Sequence, residues 1–138
     1  MTVQEAMTRG VHAIDSQASL QEAAAQMREH GIGWLPVRRD GKVAGVISDR
    51  DIVVRGLAER LDPAKALVGD VLSEGPVACH ANDGVDQAAR LMRGNKVRRL
   101  LVLDEAGNLL GVLSVGDLAA RAPDRGLAGG VVARVCRE

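Results

Sequence analysis

Apolar residues Leu20, Ala23, Ala24 and Met27 recur at i, i+3, i+4 and i+7, the stripe of an amphipathic α-helix. Ser19 stands just before them with Glu22 three residues on, a capping-box pair, and Gly31 offers a left-handed stop. Upstream, residues 3–7 lead through Gly10 into a brief extended stretch, 11–14. Downstream come two β-rich runs, 34–38 and 43–48, joined by Arg39-Asp40-Gly41-Lys42. Asp-Gly between apolar runs predicts a hairpin, because Gly tolerates positive φ. A helix from Asp49 to about Arg60 closes the series.

The same pattern then starts again. A shift of 65 residues lays Gly10 on Gly75, Ala23 on Ala88, Met27 on Met92, Leu35 on Leu100 and Val37 on Val102. After a one-residue insertion in the turn the shift becomes 66, and Gly45 meets Gly111, Ser48 meets Ser114 and Asp51 meets Asp117. The second helical stripe is Val85, Ala88, Ala89 and Met92, with Gly94 as its expected stop. Its strands fall at 77–79, 100–103 and 109–114, and its last helix at 115–121. Each copy therefore reads β-α-β-β-α. A unit of about 60 residues is marginal alone, so two copies are expected to pack face to face about a pseudo-two-fold axis, creating two related clefts. The expected division is 1–62, 67–121 and a tail at 122–138. Leu61-Asp62-Pro63-Ala64-Lys65 serves as linker, since Pro63 cannot continue a helix. The tail begins as a Gly-rich loop at 126–130, followed by a short amphipathic piece at 131–137 that docks on the module or a partner.

Composition narrows the function classes. The chain has 138 residues with 18 Lys+Arg against 18 Asp+Glu, one Trp and no Tyr or Phe. A neutral chain without aromatic platforms lacks the residues for phosphate neutralisation and base stacking, so no nucleic-acid partner is expected. Charges interrupt every apolar stretch before about 18 residues, and the N-terminus carries no basic leader, which predicts no membrane span and a cytoplasmic protein. Cys79 and Cys136 are too few for a disulfide framework. Neither a phosphate-binding Gly-rich loop nor a nucleophile elbow nor a zinc-protease helix is present, so no catalysis is expected. Asp49 and Asp51, at i and i+2, do not face each other on a helix and make no acid/base pair. No metal site is predicted. Cys79 and His80 point to opposite faces of a strand, His12 and His30 are isolated, and Cys79 aligns with Ile14 as a small core hydrophobe.

Two segments carry a family resemblance: Gly45-Val46-Ile47-Ser48-Asp49-Arg50-Asp51 and Gly111-Val112-Leu113-Ser114-Val115-Gly116-Asp117. With Leu35-Pro36-Val37 and Asp40-Gly41 they resemble the CBS domain, whose signature is Gly, two apolar residues, Ser/Thr, two free positions and Asp. Two in tandem resemble a Bateman module over roughly residues 2–121. The run from Ser48 to Ala58 and Leu61-Asp62-Pro63 is similar to stand-alone CBS-pair proteins of the hypoxic-response type. The resemblance implies an α+β fold, a homodimer, and a regulatory site for an adenine nucleotide (AMP or ATP, or S-adenosylmethionine) in the inter-repeat cleft, with no cofactor required.

The residue chemistry is compatible with that reading. An Asp carboxylate offers two acceptor oxygens to the hydroxyls of a ribose, and a Ser hydroxyl at a helix N-terminus suits a phosphate. The expected ligand residues are Ser48, Asp49, Arg50 and Asp51 in one cleft, and Ser114, Asp117 and Arg99 in the other. Apolar contacts are expected from Val11, Ile14, Val77 and Cys79, with His12 beside them. Arg50 gives the first motif a cation, whereas the second has Gly116 there and must borrow one from Lys96, Arg98 or Arg99. Trp34 is available to stack on a base, to fill the core or to make a dimer contact. Ser-x-x-Asp is equally a capping box, and that explanation stands beside ligand contact. The rival function is a ligand-free stress-response interaction protein that uses the pair as a dimer scaffold, and in either case the protein partner is unidentified.

Overall fold

The computed structural model describes residues 1–74, 77–124 and 126–135. Gly75, Cys136 and the end of the expected amphipathic piece lie outside the described residues. The chain forms two compact units, one of residues 12–74 and one that joins residues 1–11 to the chain from Val77 onward.

In the first unit, β1 (Ile14–Asp15) lies parallel to β2 (Trp34–Arg39), which pairs antiparallel with β3 (Lys42–Ser48). The β2–β3 loop is Asp40-Gly41 alone, with φ of 54° and 77°, the double positive φ of the expected tight hairpin. Between β1 and β2 runs α2 (Leu20–His30), opened by the Ser19–Glu22 capping box and closed by Gly31 at φ 64°. Leu20, Ala23 and Met27 are buried against Leu35, Val37 and Ile47, while Ala24 faces out. The helix after β3 begins as α3 (Asp49–Asp51) and widens into a π-turn over Ile52–Leu57, where the Ala58 N–H donates to the Val53 carbonyl at 2.9 Å. Ile52 and Gly56 lie on the buried face of this segment. The linker is tied down: Pro63 and Ala66 carbonyls accept from Gln21 and Leu20 at the start of α2.

The opening segments depart from the contiguous repeats. α4 (Val68–Val71) and β4 (Ser73–Glu74), which begin the second sequence copy, belong to the first unit, and β4 extends its sheet to the order β1-β2-β3-β4. In mirror fashion α1 (Val3–Ala6) belongs to the second unit, where Thr8 pairs with Val112. Val3, Ala6, Met7, Val68, Val71 and Leu72 are buried, so each exchanged segment completes a core.

The second unit has β5 (Ala78–His80) parallel to β6 (Arg99–Leu103), and β6 antiparallel to β7 (Leu109–Ser114). α5 (Val85–Asn95) buries Val85, Ala88, Ala89 and Met92, the whole expected stripe. It does not stop at Gly94: the helix continues to Asn95, and Lys96 takes the left-handed cap at φ 54°. α6 (Val115–Arg121) follows β7 as expected. The Gly-rich tail is the larger correction, because 126–130 is not a loop. α7 (Gly126–Val135) packs on α5 and α6 with Ala128 and Val131 buried, and that burial outweighs the poor helix propensity of its glycines.

Candidate functional site

Each motif turn arises where a strand becomes a helix. In the first unit Ile47 points into the core and the chain turns at Ser48, whose Oγ accepts from the Asp51 N–H at 3.1 Å. Asp51 Oδ2 accepts in return from the Ser48 N–H at 3.0 Å, a complete capping box. The second unit repeats it. Ser114 Oγ accepts from the Asp117 N–H at 3.1 Å, and Asp117 Oδ2 accepts from the Ser114 N–H at 2.9 Å. The capping explanation is therefore realised in both copies.

It does not exhaust the carboxylates. An ionised carboxyl has about four lone-pair sites, and the cap occupies one. Thr8 Oγ1 donates to Asp117 Oδ1 at 3.0 Å, and Ser73 Oγ lies 3.4 Å from both oxygens of Asp51. Both hydroxyls come from the exchanged opening segments. An arginine four residues beyond each Asp completes the set: Arg55 Nη1 is 4.0 Å from Asp51 Oδ1 and Arg121 Nη1 is 4.0 Å from Asp117 Oδ1. These arginines also anchor the exchanged segments. Arg55 donates to the Leu72 carbonyl at 3.0 Å, and Arg121 to the Ala6 and Met7 carbonyls at 2.9 Å each. The Asp side chains remain 14% and 13% exposed, so each carboxylate keeps an open edge.

Thr8, Ser73, Arg55 and Arg121 escaped the motif reading, although the repeat carried the signal. Thr8 and Ser73 are related by the offset of 65, and Arg55 and Arg121 by that of 66.

Beyond this shared frame the turns differ. Asp49 Oδ1 accepts from the Arg50 N–H at 2.8 Å, and its carboxylate lies over Gly33, where a Cβ would be 2.6 Å from Oδ2. The first turn therefore carries the Asp49 carboxylate as well as the Arg50 cation. At the second turn Val115 and Gly116 are uncharged. On the neighbouring strand Trp34 sits opposite Ser48, whereas Arg99 sits opposite Ser114. Directly opposed residues share a sheet face, so one turn has an indole beside it and the other an exposed guanidinium.

Several expected contact residues are placed elsewhere. Ile14 is 5% exposed and Cys79 is 1% exposed, each in its unit's core, because strand alternation turns them inward. Val11 and Val77 are half-buried. His12 is exposed and stacks on His30, with ring centroids 3.5 Å apart. Among the described residues no group of three or more His, Cys, Asp or Glu could hold a metal ion.

Burial, reinforced by the charge of Asp83, pushes the Cys79 thiol up to about 12. The unfolded thiol titrates near 8.5, so from there to pH 12 the unfolded state binds fewer protons at this group, and the Cys79 contribution to stability falls as pH rises, by up to about 1.4 kcal/mol per pH unit. With Cys136→Ser removing the other thiol, iodoacetamide is expected to leave the folded protein unmodified at pH 8 and to alkylate it fully in urea. Rapid alkylation of the folded form would contradict this placement.

The comparisons with known proteins agree with the duplicated architecture. The CBS domain model matches residues 3–57 and 68–124. Hypoxic response protein 1 of Mycobacterium tuberculosis is 34% identical over 91% of this chain and 88% of its own length. A crystal structure of Hypoxic Response Protein I with two coordinated zinc ions is 35% identical, superposes with a TM-score of 0.79, and is matched over 89% of this chain and 100% of its own. The crystal structure of CBSX2 in complex with AMP is 29% identical with a TM-score of 0.73, over 86% of this chain and 93% of its own. The chain belongs to the CBS-domain family and carries two copies of that domain.

Proposed function

We propose that this chain is a regulatory module whose motif turns bind an adenine nucleotide, AMP or ATP. The carrying observation is the duplicated turn itself: a carboxylate held by its cap, flanked by a hydroxyl, and open on one edge. A ribose hydroxyl donates to the free lone pair of Asp117 Oδ1, while Thr8 Oγ1 accepts from its neighbour. Support comes from the AMP complex of a relative 29% identical to this chain. The second turn is the better phosphate acceptor, since Arg99 stands opposite Ser114 and no carboxylate occupies the position of Asp49. The first turn, with Trp34 opposite Ser48, is better suited to a base or an uncharged nucleoside.

Regulation needs a readout. The outer face of the π-turn leaves Val53, Val54 and Leu57 at 54%, 44% and 52% exposure. We place the second copy of a homodimer on that strip. Among the described residues no helix is long and apolar enough to cross a membrane, in keeping with a proposed cytoplasmic site of action.

A thermal-shift panel tests the ligand. AMP at a hundred times its dissociation constant is expected to stabilise the fold by about 2.7 kcal/mol. ATP and S-adenosylmethionine belong in the panel because they share the ribose. Silence from every adenine ligand at millimolar concentration would favour the scaffold reading, in which the turns serve only as caps.

A further inference from the structure

A second anion site stands apart from the motif turns, where α5 and α7 meet. Arg93 lies across α7 at Gly130, and a Cβ there would be 3.2 Å from Arg93 Nη1 and 3.7 Å from its Cδ. Gly130 and Arg134 are four residues apart on α7 and so share a face, which brings the head of Arg93 to within about one helical turn of the base of Arg134. The two arginines and Gly94 line one groove of about 300 Å³. Among the described residues neither guanidinium has an acidic or carbonyl partner, whereas Arg55 and Arg121 each have one. Each arginine occupies the last turn of its helix, where the dipole favours a cation. That preference explains one positive charge per helix end. It does not explain why the two line one groove whose wall at Gly94 carries no side chain, a concentration of positive charge that an anion would offset.

We infer that this groove binds a phosphate group. Two guanidinium forks offer paired N–H donors matched to the oxygens of a phosphate; Gly130 lets Arg93 lie against α7, and Gly94, where a Cβ would meet nothing within 4 Å, leaves the groove open to the anion. The first unit lacks the equivalent: α2 carries Arg28 and Glu29 at this level, and among the described residues no helix covers it as α7 covers α5. The site is therefore a property of the second unit alone.

Calorimetric titration of the full chain at low ionic strength, with inorganic phosphate and with glycerol 2-phosphate, tests it. One anion per chain is expected to bind. Arg134→Ala and Arg134→Gln should each weaken it about tenfold or more, as should Gly130→Ala, which crowds Arg93. Tighter binding of glycerol 2-phosphate would identify an organic phosphate as the occupant, and equal binding inorganic phosphate itself. Adenosine, which carries no phosphate, reports on the motif turns separately, and its effect should persist in Arg134→Ala. No phosphate binding at millimolar concentration, or equal affinity in the wild type and both Arg134 variants, would overturn the inference.

Discussion

Gly111→Ala is expected to destabilise the second unit by about 2–4 kcal/mol, far more than a single methyl group ordinarily costs on a surface strand. The reason is the exchanged opening segment. A Cβ on Gly111 would lie 2.4 Å from the Thr8 carbonyl oxygen and 3.1 Å from Met7 Sδ. Relief requires residues 7–8 to retreat from β7. That breaks the Thr8 N–H to Val112 carbonyl bond of 2.9 Å and its 3.1 Å reciprocal, uncovers the buried Met7, and draws Thr8 away from Asp117. Gly45 is in the same position in the first unit, with a Cβ 2.3 Å from the Ser73 carbonyl oxygen. The motif glycine is therefore required by close backbone approach and not by φ. Gly129→Ala is the control, since a Cβ there meets nothing within 4 Å, and in helical α7 it should stabilise by up to about 1 kcal/mol. Urea unfolding of the three proteins measures both effects. A cost below about 1 kcal/mol for Gly111→Ala would show that the opening segment is not held as described.

Asp117→Ala is expected to weaken AMP binding about 10- to 150-fold, the loss of a charged hydrogen bond worth roughly 1.5–3 kcal/mol. It also removes the cap of α6, so the variant's own stability must be measured beside its affinity. Asp117→Asn separates the two effects, because it keeps an acceptor for the Ser114 N–H but discards the charge. Its fold should resemble the wild type while its affinity falls between wild type and Asp117→Ala. Asp51→Ala should change AMP affinity less, because Asp49 opposes a phosphate at the first turn. Calorimetry decides the ranking, and a larger loss from Asp51→Ala than from Asp117→Ala would assign AMP to the first turn.

The elements that follow local rules were legible in the sequence. Ser19 with Glu22, Gly31 at positive φ and the Asp40-Gly41 hairpin depend on neighbours a few residues away. So did both Ser–Asp turns, whose chemistry is written within four positions. What escaped was non-local. The exchange of α1 and α4 between units leaves the repeat pattern unchanged, because each segment is replaced by its own homologue. The first half of α7, 126–130, was misread as a loop because its glycines are held helical by packing that local rules do not show: Ala128 and Val131 are buried and α5 and α6 receive the helix. The burial of Ile14 and Cys79, expected to border a ligand, follows from a related cause. Their apolar character marked them for burial, and the interior of each sheet claimed them. Thr8 and Ser73 were visible only once the offset between the copies was applied to the neighbourhood of Asp51 and Asp117.

Amide chemical-shift mapping of the uniformly ¹⁵N-labelled protein during titration with AMP most directly probes whether a capped carboxylate can also clamp a ribose. The largest saturable shifts are expected at Thr8 and from Ser114 to Asp117, with smaller ones at Ser73 and from Ser48 to Asp51. Shifts confined to residues remote from both turns, or none at millimolar AMP, would mean that Asp51 and Asp117 do nothing but cap their helices.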